Sequence, residues 1–194
     1  MTSINAVVAR RYGGRLGLIR HCQALALLSA GFLRDYTAAV PPVSGGRTVF
    51  VCKGNIARSA YAAARARQLG FQRVASAGIH AGAGSPASAV AVEAAAARGI
   101  DLRRHRARHI DELDLKAQDR VFVFELWQAR ALARRSPARV FLLGAWADPA
   151  RPHIEDPFGR SRAYYVQCFE IIDGALQRLR AEQPACRNKL ATPC

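Results

Sequence analysis

The stretch TVFVCKGNIARSAYAAARARQLG, residues 48–70, decides the fold and carries the most informative polar residues of the chain. Its first five residues, TVFVC, form a short continuous run of β-branched, aromatic and apolar side chains, which predicts a buried strand. The alanine-rich run that begins near Arg58 predicts a helix ending at Gly70. A strand that leads through one short loop into a helix is typical of an α/β protein.

The same alternation of strand and helix continues along the chain. Ser85 is a candidate N-cap for the second helix, Pro86 suits its first turn, and Gly99 is a stop signal. The pattern predicts one α/β domain with a central four-stranded parallel sheet and helices on both faces. The predicted strands are residues 48–52, 73–78, 119–125 and 139–145, and the predicted helices are residues 58–70, 85–99, 126–136 and 163–182.

The N-terminal segment has basic residues followed by an apolar stretch, as a signal peptide would. Arg20 and His21 interrupt the apolar run, which argues against a cleaved signal and against a spanning helix. Three placements stay open for the segment: on a membrane surface, packed on the domain, or loosely ordered. Near-helical spacing predicts an amphipathic helix with its apolar positions at Leu18, Cys22, Leu25, Leu28, Phe32 and Leu33.

The prolines and glycines of VPPVSGG, residues 40–46, predict a linker after this helix. The chain then divides into an N-terminal helical extension (1–46), a domain (47–182) and a C-terminal tail (183–194). Hydrophobic residues make up 51% of the 194 residues and charged residues 22%, so the chain can bury a core and global disorder is excluded.

The formal net charge of +15 is carried almost entirely by arginine. It favours an acidic partner, which could be nucleic acid, an anionic membrane or a phosphorylated substrate, although a compositional bias toward arginine and alanine explains it equally well. The chain has five cysteines, which is an odd number, and no two of them form a Cys-x-x-Cys pair. They predict free thiols in a reducing cytoplasm rather than a zinc site or a disulfide framework.

Cys52 stands at the carboxyl end of the first predicted strand, which is where open parallel sheets bind ligands. The loop KGNIA and the helix start behind it offer backbone N–H groups that would cradle a tetrahedral anion. Gly54 permits close approach of the backbone, and Asn55 tolerates a left-handed conformation. The same positive environment favours a thiolate, which is a nucleophile.

Arg58 and Ser59 complete this constellation. A guanidinium grips two oxygens of a phosphoryl group in a bidentate fork, and the hydroxyl of Ser59 is placed to donate to the cysteine sulfur. The spacing therefore suits phosphoryl transfer through a phosphocysteine. The plainer alternative is a buried structural cysteine followed by a solvated arginine. The loop is not a Walker nucleotide motif, because it lacks the Gly-Lys-Ser/Thr ending.

Such a reaction also needs an acid to protonate the leaving oxygen. Asp156 in IEDPFG, residues 154–159, is the best candidate, since Pro157 stiffens its loop and Phe158 could stack on an aromatic ring. Asp-Pro is also common turn chemistry, so a turn role for Asp156 stays open at this point.

Taken together, these residues resemble the low-molecular-weight protein tyrosine phosphatases. The motif of that family stands here as CKGNIARS and its acid loop as DPFG, with SAG, GIDLRRHRARHI, DRVFVFE and VFLLG in the matching order between them. The resemblance covers residues 48–182. It implies that Cys52 is the nucleophile, that Arg58 binds phosphate, and that Asp156 acts first as general acid and then as general base.

The resemblance also implies roles for neighbouring residues. Phe158 matches an aromatic wall of the substrate pocket. The expected phosphate cradle is Lys53, Gly54, Asn55, Ile56, Ala57, Arg58 and Ser59, and the expected support for that loop is Asn55, Ser59, Ser76 and His105. Without the family, His105 would be interpreted as a solvated residue in the basic run RRHRARH.

The implied enzyme is a bacterial, cytoplasmic phosphotyrosine phosphatase that uses no metal and no other cofactor. Its expected partner is a phosphotyrosine protein, for example a bacterial tyrosine kinase, with no nucleic acid, and its expected state is a monomer or weak dimer. Ala57 replaces the second cysteine of many members, so protection by a disulfide is not expected. Ala60 stands where many members have a proline, and Phe124-Glu125 stands where they often have Met-Asp. A single aromatic residue follows Asp-Pro, and this departure bears on the preference for phosphotyrosine.

Two other functions stay open from the sequence. An arsenate reductase on the same fold would need further cysteines near VFVFELWQARA, and none is there. A non-catalytic module that binds anions or nucleic acid would exploit the charge of +15 and would bind nucleic acid with a steep salt dependence.

Overall fold

The computed structural model of the protein describes residues 3–41 and 45–182. The predicted tail, with Cys186 and Cys194, lies outside the described residues, as does the middle of the predicted linker. The described part confirms the predicted α/β class with a four-stranded parallel sheet between helices.

The four strands lie in the order β2-β1-β3-β4. β1 has an inner position and is in parallel register with β2 on one side and β3 on the other, which places Cys52 at its end directly beside Gly78. The strands are β1 (Thr48–Cys52), β2 (Val74–Gly78), β3 (Arg120–Val123) and β4 (Arg139–Leu142). The described helices are α1 (Ile4–Tyr12), α2 (Arg15–Ser29), α3 (Arg34–Thr37), α4 (Arg58–Gln68), α5 (Ala89–Ala96), α6 (Leu126–Ala133) and α7 (Arg162–Glu182).

Successive side chains of each strand point to opposite faces of the sheet, and each face has its own apolar core. On one face Phe122 stacks between Phe50 and Phe141, with ring centroids 5.7 and 5.4 Å apart, and α4, α5 and α7 cover this aromatic layer. The other face is aliphatic, built on the valines of β1 and β3, and α6 packs on it. Both faces of β1 are therefore buried, which explains why TVFVC is apolar throughout.

Several predicted boundaries were wrong, and α5 and α6 each end three residues before the predicted end. The second helix begins at Ala89 rather than near Ser85, because Ser88 is the residue whose hydroxyl accepts a hydrogen bond from Ala91 N. Pro86 instead pairs with Arg106 in an isolated antiparallel bridge. The third and fourth strands stop earlier than predicted, since the chain turns into α6 after β3 and into a short 3₁₀ turn after β4.

The described part of the N-terminal extension holds three helices, α1, α2 and the short α3, where the sequence predicted one. The chain turns at Gly13, whose φ of +74° suits glycine, and a Cβ there would lie 2.8 Å from the ring of Tyr164. The predicted apolar face was right only in part, since Leu33 is buried and Leu28 packs against the core. Gly17, His21 and Ala24 form the buried face of α2, while Cys22 is exposed and Phe32 is 74% exposed, because Arg20 pairs with Glu155 of the domain and His21 packs on Tyr12 of α1.

Of the three placements considered for this extension, the structure has it packed on the domain. Arg151 donates a hydrogen bond from Nη1 to the carbonyl of Arg11 and lies over the ring of Tyr12, 4.6 Å from its centroid. Arg20 forms an ion pair with Glu155. Among residues 3–41 and 45–182, no helix combines the length and the apolar character that crossing a bilayer requires.

Candidate active site

Cys52 ends β1 at the carboxyl edge of the sheet, and its sulfur is nearly enclosed by the loop that follows. Asn55 donates its backbone N–H to Cys52 Sγ at 3.3 Å, and Ser59 Oγ lies 3.0 Å from the same sulfur. The hydroxyl of Ser59 has one hydrogen for two acceptors, Cys52 Sγ and the carbonyl of Ala77 at 3.3 Å. An ionised sulfur is the stronger acceptor, so this geometry suits a thiolate.

Asn55 is the centre of the loop. Its φ of +54° is left-handed, and hydrogen bonds hold it there from three sides. Its amide donates to Ser59 Oγ at 2.8 Å, and its side-chain oxygen accepts from Arg108 N at 3.0 Å. The carbonyl of Asn55 accepts from His105 Nε2 at 2.6 Å, so this nitrogen carries the proton. Burial lowers the pKa of His105 below its ordinary value, which favours the neutral ring.

Gly78 allows the loop to lie against β2. A Cβ at this position would come within 2.8 Å of Asn55 N, of the Gly54 carbonyl carbon and of Lys53 O. Two backbone hydrogen bonds fasten the same contact, from Ile79 N to Cys52 O at 3.0 Å and from the next residue to Lys53 O. The shape of the loop therefore depends on a bare backbone at the end of the neighbouring strand.

The helix start behind the loop is left free to bind an anion. α4 begins at Arg58, as predicted, and its N-cap, Ala57, provides no side-chain hydrogen bond to the first turn. The N–H groups there, together with those of the loop, of which Asn55 N already donates to Cys52 Sγ, are donors of the kind that bind phosphate.

Arg58 is fully buried, and half of its guanidinium is held by protein. Nη1 donates to Glu125 Oε1 at 2.6 Å and to the carbonyl of Ile154 at 2.9 Å. Nη2 lies 2.8 Å from Asp156 Oδ2, but within the described residues neither Nη2 nor Nε has a hydrogen-bond partner. Burial alone would lower the pKa of Arg58, but Asp156 and Glu125 outweigh it and raise that pKa, so the side chain stays charged.

Asp156 and Phe158 close the site from the loop before α7. They line a cavity of about 210 Å³ together with Cys52 and the phosphate loop, and Phe158 is 61% exposed at its mouth. His80 also lines the cavity and stacks on Trp127 with ring centroids 6.0 Å apart. The complete lining is Cys52, Lys53, Gly54, Ile56, Ala57, His80, Asp156 and Phe158.

The predicted site residues therefore meet in one place, with one correction. Ser76 was expected to support the loop, but it lies in the middle of β2 opposite Phe50 and makes no side-chain hydrogen bond within the described residues. The amide of Arg108 and the ring of His105 hold Asn55 instead.

Sequence reasoning missed three residues of the site. Glu125 follows β3 at the same sheet edge as Cys52, so its position could have identified it as a partner for a cation there. Gly78 likewise ends a strand, and a glycine at a strand end indicates close approach of another backbone. No signal in the sequence would have placed His80 in the wall.

One group of residues offers donor atoms for a metal within the described part of the chain. Atoms of Glu125, His153 and Glu155 all lie within 4.8 Å of one another. Both carboxylates are already paired, Glu125 with Arg58 and Glu155 with Arg20. A metal ion would have to displace these guanidinium groups, so the group is better suited to the ion pairs that it forms.

A family model described as low molecular weight phosphotyrosine protein phosphatase matches residues 47–188. The chain belongs to this family. The match spans both the loop after β1 and the loop that carries Asp156, and it confirms the resemblance found in CKGNIARS and DPFG. Curated relatives are named as phosphatases of this family, so the protein is an enzyme of the phosphatase class.

Three relatives illustrate the likeness. EpsP of Ralstonia nicotianae, named a probable low molecular weight protein-tyrosine-phosphatase, is 36% identical over 139 residues, which are 68% of this chain and 94% of EpsP. The structure of Vibrio vulnificus Wzb in complex with benzylphosphonate is 28% identical, with a TM-score of 0.61, and the match covers 71% of this chain and 99% of Wzb. The YwlE arginine phosphatase from Geobacillus stearothermophilus has a TM-score of 0.61 at 27% identity, over 70% of this chain and 91% of YwlE.

Replacing Gly78 with alanine tests whether the phosphatase loop needs a bare strand end. Because three backbone atoms of the loop lie within 2.8 Å of the new Cβ, the loop must shift. We expect Gly78→Ala to lower kcat/KM for p-nitrophenyl phosphate on the order of 100-fold and to reduce the free energy of unfolding by about 1–3 kcal/mol.

Gly174→Ala is the matched control, since nothing lies within 4 Å of the Cβ that it adds to α7. This control should keep full activity and gain about 0.5–1 kcal/mol of stability. Wild-type activity in Gly78→Ala would contradict this view of the loop.

Proposed function

We propose that the protein hydrolyses phosphotyrosine in proteins through a covalent cysteinyl-phosphate intermediate. The observation that carries the proposal is the buried guanidinium of Arg58 beside the cavity that Cys52 and Asp156 line: within the described residues Nε has no hydrogen-bond partner, and Nη2 has only its ion pair with Asp156. Buried donors are rarely left unpaired, and a phosphoryl group in the loop would satisfy both.

In the first step the Cys52 thiolate attacks phosphorus and the bond from phosphorus to the tyrosyl oxygen breaks. Asp156, protonated, gives its proton to the departing oxygen, so a neutral phenol leaves instead of a phenolate. Arg58 and the loop N–H groups bind the equatorial oxygens as the geometry at phosphorus changes. The ion pair from Arg58 Nη2 to Asp156 then competes with a phosphoryl oxygen, so substrate binding would release Asp156 toward the leaving group.

In the second step water attacks the phosphocysteine, and Asp156, now a carboxylate, takes the proton of that water. The bond between sulfur and phosphorus breaks, and inorganic phosphate and the thiolate are the products. The hydroxyl of Ser59, 3.0 Å from Cys52 Sγ, stabilises the departing sulfur by donating to it. Every group needed for both steps therefore belongs to residues of this chain.

The walls of the cavity favour a phenyl ring. Cys52 lies at its base and is 3% exposed, so a phosphate must stand at the end of a long side chain to reach the sulfur. Ile56, Phe158 and the His80 ring offer apolar and aromatic contact along the way. We extend the proposal to a cytoplasmic phosphotyrosine protein as substrate, of which a bacterial tyrosine kinase is the example that the resemblance suggests.

Phosphoarginine is the second candidate substrate, because a structural neighbour at 27% identity is an arginine phosphatase. A guanidinium leaving group is cationic and would need acidic or polar partners along the wall. Among the described residues Asp156 is the one carboxylate that lines this cavity, and it already pairs with Arg58. The apolar walls therefore support phosphotyrosine over phosphoarginine.

Rapid-mixing hydrolysis of p-nitrophenyl phosphate tests the mechanism, with chelator present and no added metal. Wild type should release one equivalent of nitrophenol in a burst if hydrolysis of the intermediate is the slower step. Cys52→Ser should lose turnover, and Asp156→Asn should lower kcat by about 10²–10⁴-fold because it removes both proton transfers. Equal rates in all three proteins would contradict the mechanism and favour a non-catalytic anion site.

Peptides that carry phosphotyrosine or phosphoarginine in the same sequence test the substrate. We expect kcat/KM for the phosphotyrosine peptide to exceed that for the phosphoarginine peptide by about tenfold or more, equivalent to the contact energy of one buried ring. Preference for phosphoarginine would overturn the tyrosine assignment and keep the mechanism. Thiol-dependent arsenate reduction without phosphatase activity would instead favour the arsenate reductase.

A further inference from the structure

The residue that precedes the general acid is anchored by an unusual number of groups. Glu155 is 5% exposed, and its carboxylate accepts hydrogen bonds from three side chains. His153 Nε2 donates at 2.9 Å and Arg160 at 3.4 Å, both from the same loop. Arg20 Nη1 lies 3.1 Å from both carboxylate oxygens, across 135 residues of chain. Tyr164 adds a hydrogen bond from its hydroxyl to the Glu155 carbonyl at 3.1 Å.

Arg20 is the contribution of the N-terminal extension to this cluster. It stands on α2, and Gly17 one turn earlier lets that helix come close, since a Cβ there would lie 3.2 Å from Glu155 Cγ. His21 packs its ring on Tyr12, with centroids 5.4 Å apart. The extension thus contacts the acid loop directly at Glu155, the residue before Asp156.

The charges of this contact are fixed at neutral pH. Burial opposes ionisation of Glu155, but the hydrogen bonds from His153 and Arg20 outweigh it and lower the pKa of its carboxyl to about 2. Burial, Arg151 and His153 lower the pKa of His21 to about 4, so His21 is neutral. Arg20 is therefore the cation that α2 supplies to the buried carboxylate, and removing it would leave that charge with the partners of its own loop.

Asp156 depends on its neighbour for its position. Its carboxylate contacts Arg58 Nη2 at 2.8 Å and Phe158 N at 3.2 Å, and its side chain is 29% exposed. The first contact must yield to the substrate, and the second belongs to the same loop. Pro157 stiffens the chain on the following side, and on the preceding side the backbone is held at Ile154 and, next to the acid, at Glu155, so the anchoring of Glu155 contributes to where the acid points.

We propose that Arg20 is a positioning residue: the N-terminal extension holds the acid loop through the Arg20–Glu155 contact and so keeps Asp156 aimed at the leaving oxygen. The inference rests on the proposed role of Asp156 as general acid. The holding element lies outside the part of the chain that matches the family, since the match begins at residue 47. This enzyme would thus use residues of its own to fix a step that it shares with the family.

A series of aryl phosphates tests the inference, because a general acid matters most when the leaving phenol is a poor leaving group. We expect Arg20→Gln to lower kcat/KM about tenfold for phenyl phosphate and less than about twofold for p-nitrophenyl phosphate, a part of the 10²–10⁴-fold that an acid contributes. Arg20→Lys keeps the cation and should recover most of the loss. Arg15→Gln, the same change at an exposed position of α2, should match wild type for both substrates.

Asp156→Asn separates this inference from the proposed function. Asp156→Asn should make kcat/KM depend more steeply on the leaving phenol than Arg20→Gln does. Adding Arg20→Gln to Asp156→Asn should make that dependence no steeper, because both changes remove the same proton transfer. If Asp156→Asn does not steepen the dependence, the proposed role of the acid fails, whatever Arg20→Gln shows.

A merely structural role for Arg20 predicts a different pattern. Loss of folded protein lowers the rate for every substrate by one factor, so a uniform loss in Arg20→Gln, or no loss, would overturn the positioning role. Glu155→Gln breaks the same contact from the other side with an isosteric amide. If Arg20→Gln does not fold, Glu155→Gln takes its place in the series. A loss of kcat/KM confined to the poor leaving groups would then support the positioning role, and a uniform loss would overturn it.

Discussion

A buried guanidinium holds the active site together. Arg58 has no exposed surface, and a charge in that position is tolerated only when other groups of the protein surround it. Its partners come from two separate places: Glu125 follows β3, and Ile154 and Asp156 belong to the loop before α7. One side chain at the start of α4 thereby joins the phosphate loop to the neighbouring strand and to the acid loop.

This arrangement holds one side of the guanidinium firmly and leaves the other side available to a ligand. Glu125 and Ile154 fix Nη1 and set the plane of the group, while within the described residues Nε has no hydrogen-bond partner and Nη2 has only its ion pair with Asp156. A donor that is already aimed costs little reorganisation when a charged oxygen arrives, which is how preorganised sites stabilise a transition state. The left-handed Asn55 serves the same end, since three hydrogen bonds hold the loop N–H groups in place before any ligand binds.

Most of the fold, and the nucleophilic half of the site, could be predicted because their signals are local. A strand, a cysteine, a glycine and an asparagine, and a helix start follow one another within a few residues of Cys52, and each has its own physical meaning. Asp156 lies about a hundred residues away, and its own neighbourhood predicted a turn equally well, so the family resemblance was needed to place it in the site. The prediction that Ser76 supports the phosphate loop was wrong, because strand register decides which residues reach the sheet edge and the sequence does not show register.

The extension was the least predictable part. Arg20 and His21 look like interruptions of an apolar helix until their contacts are known: Arg20 pairs with Glu155 across a long stretch of chain, and His21 packs on Tyr12 of α1. Polar residues on an apolar helix face thus marked the contact surface rather than a defect in the pattern.

Trapping the covalent intermediate would test the central claim most directly. Asp156→Asn protein should be mixed with an aryl phosphate and quenched in acid. The phosphorylated enzyme should accumulate, because the variant lacks the general base that its hydrolysis needs. Peptide mass spectrometry should then find one phosphoryl group on the sulfur of Cys52. A phosphoryl group on another residue, or none on any residue while product forms, would contradict the account.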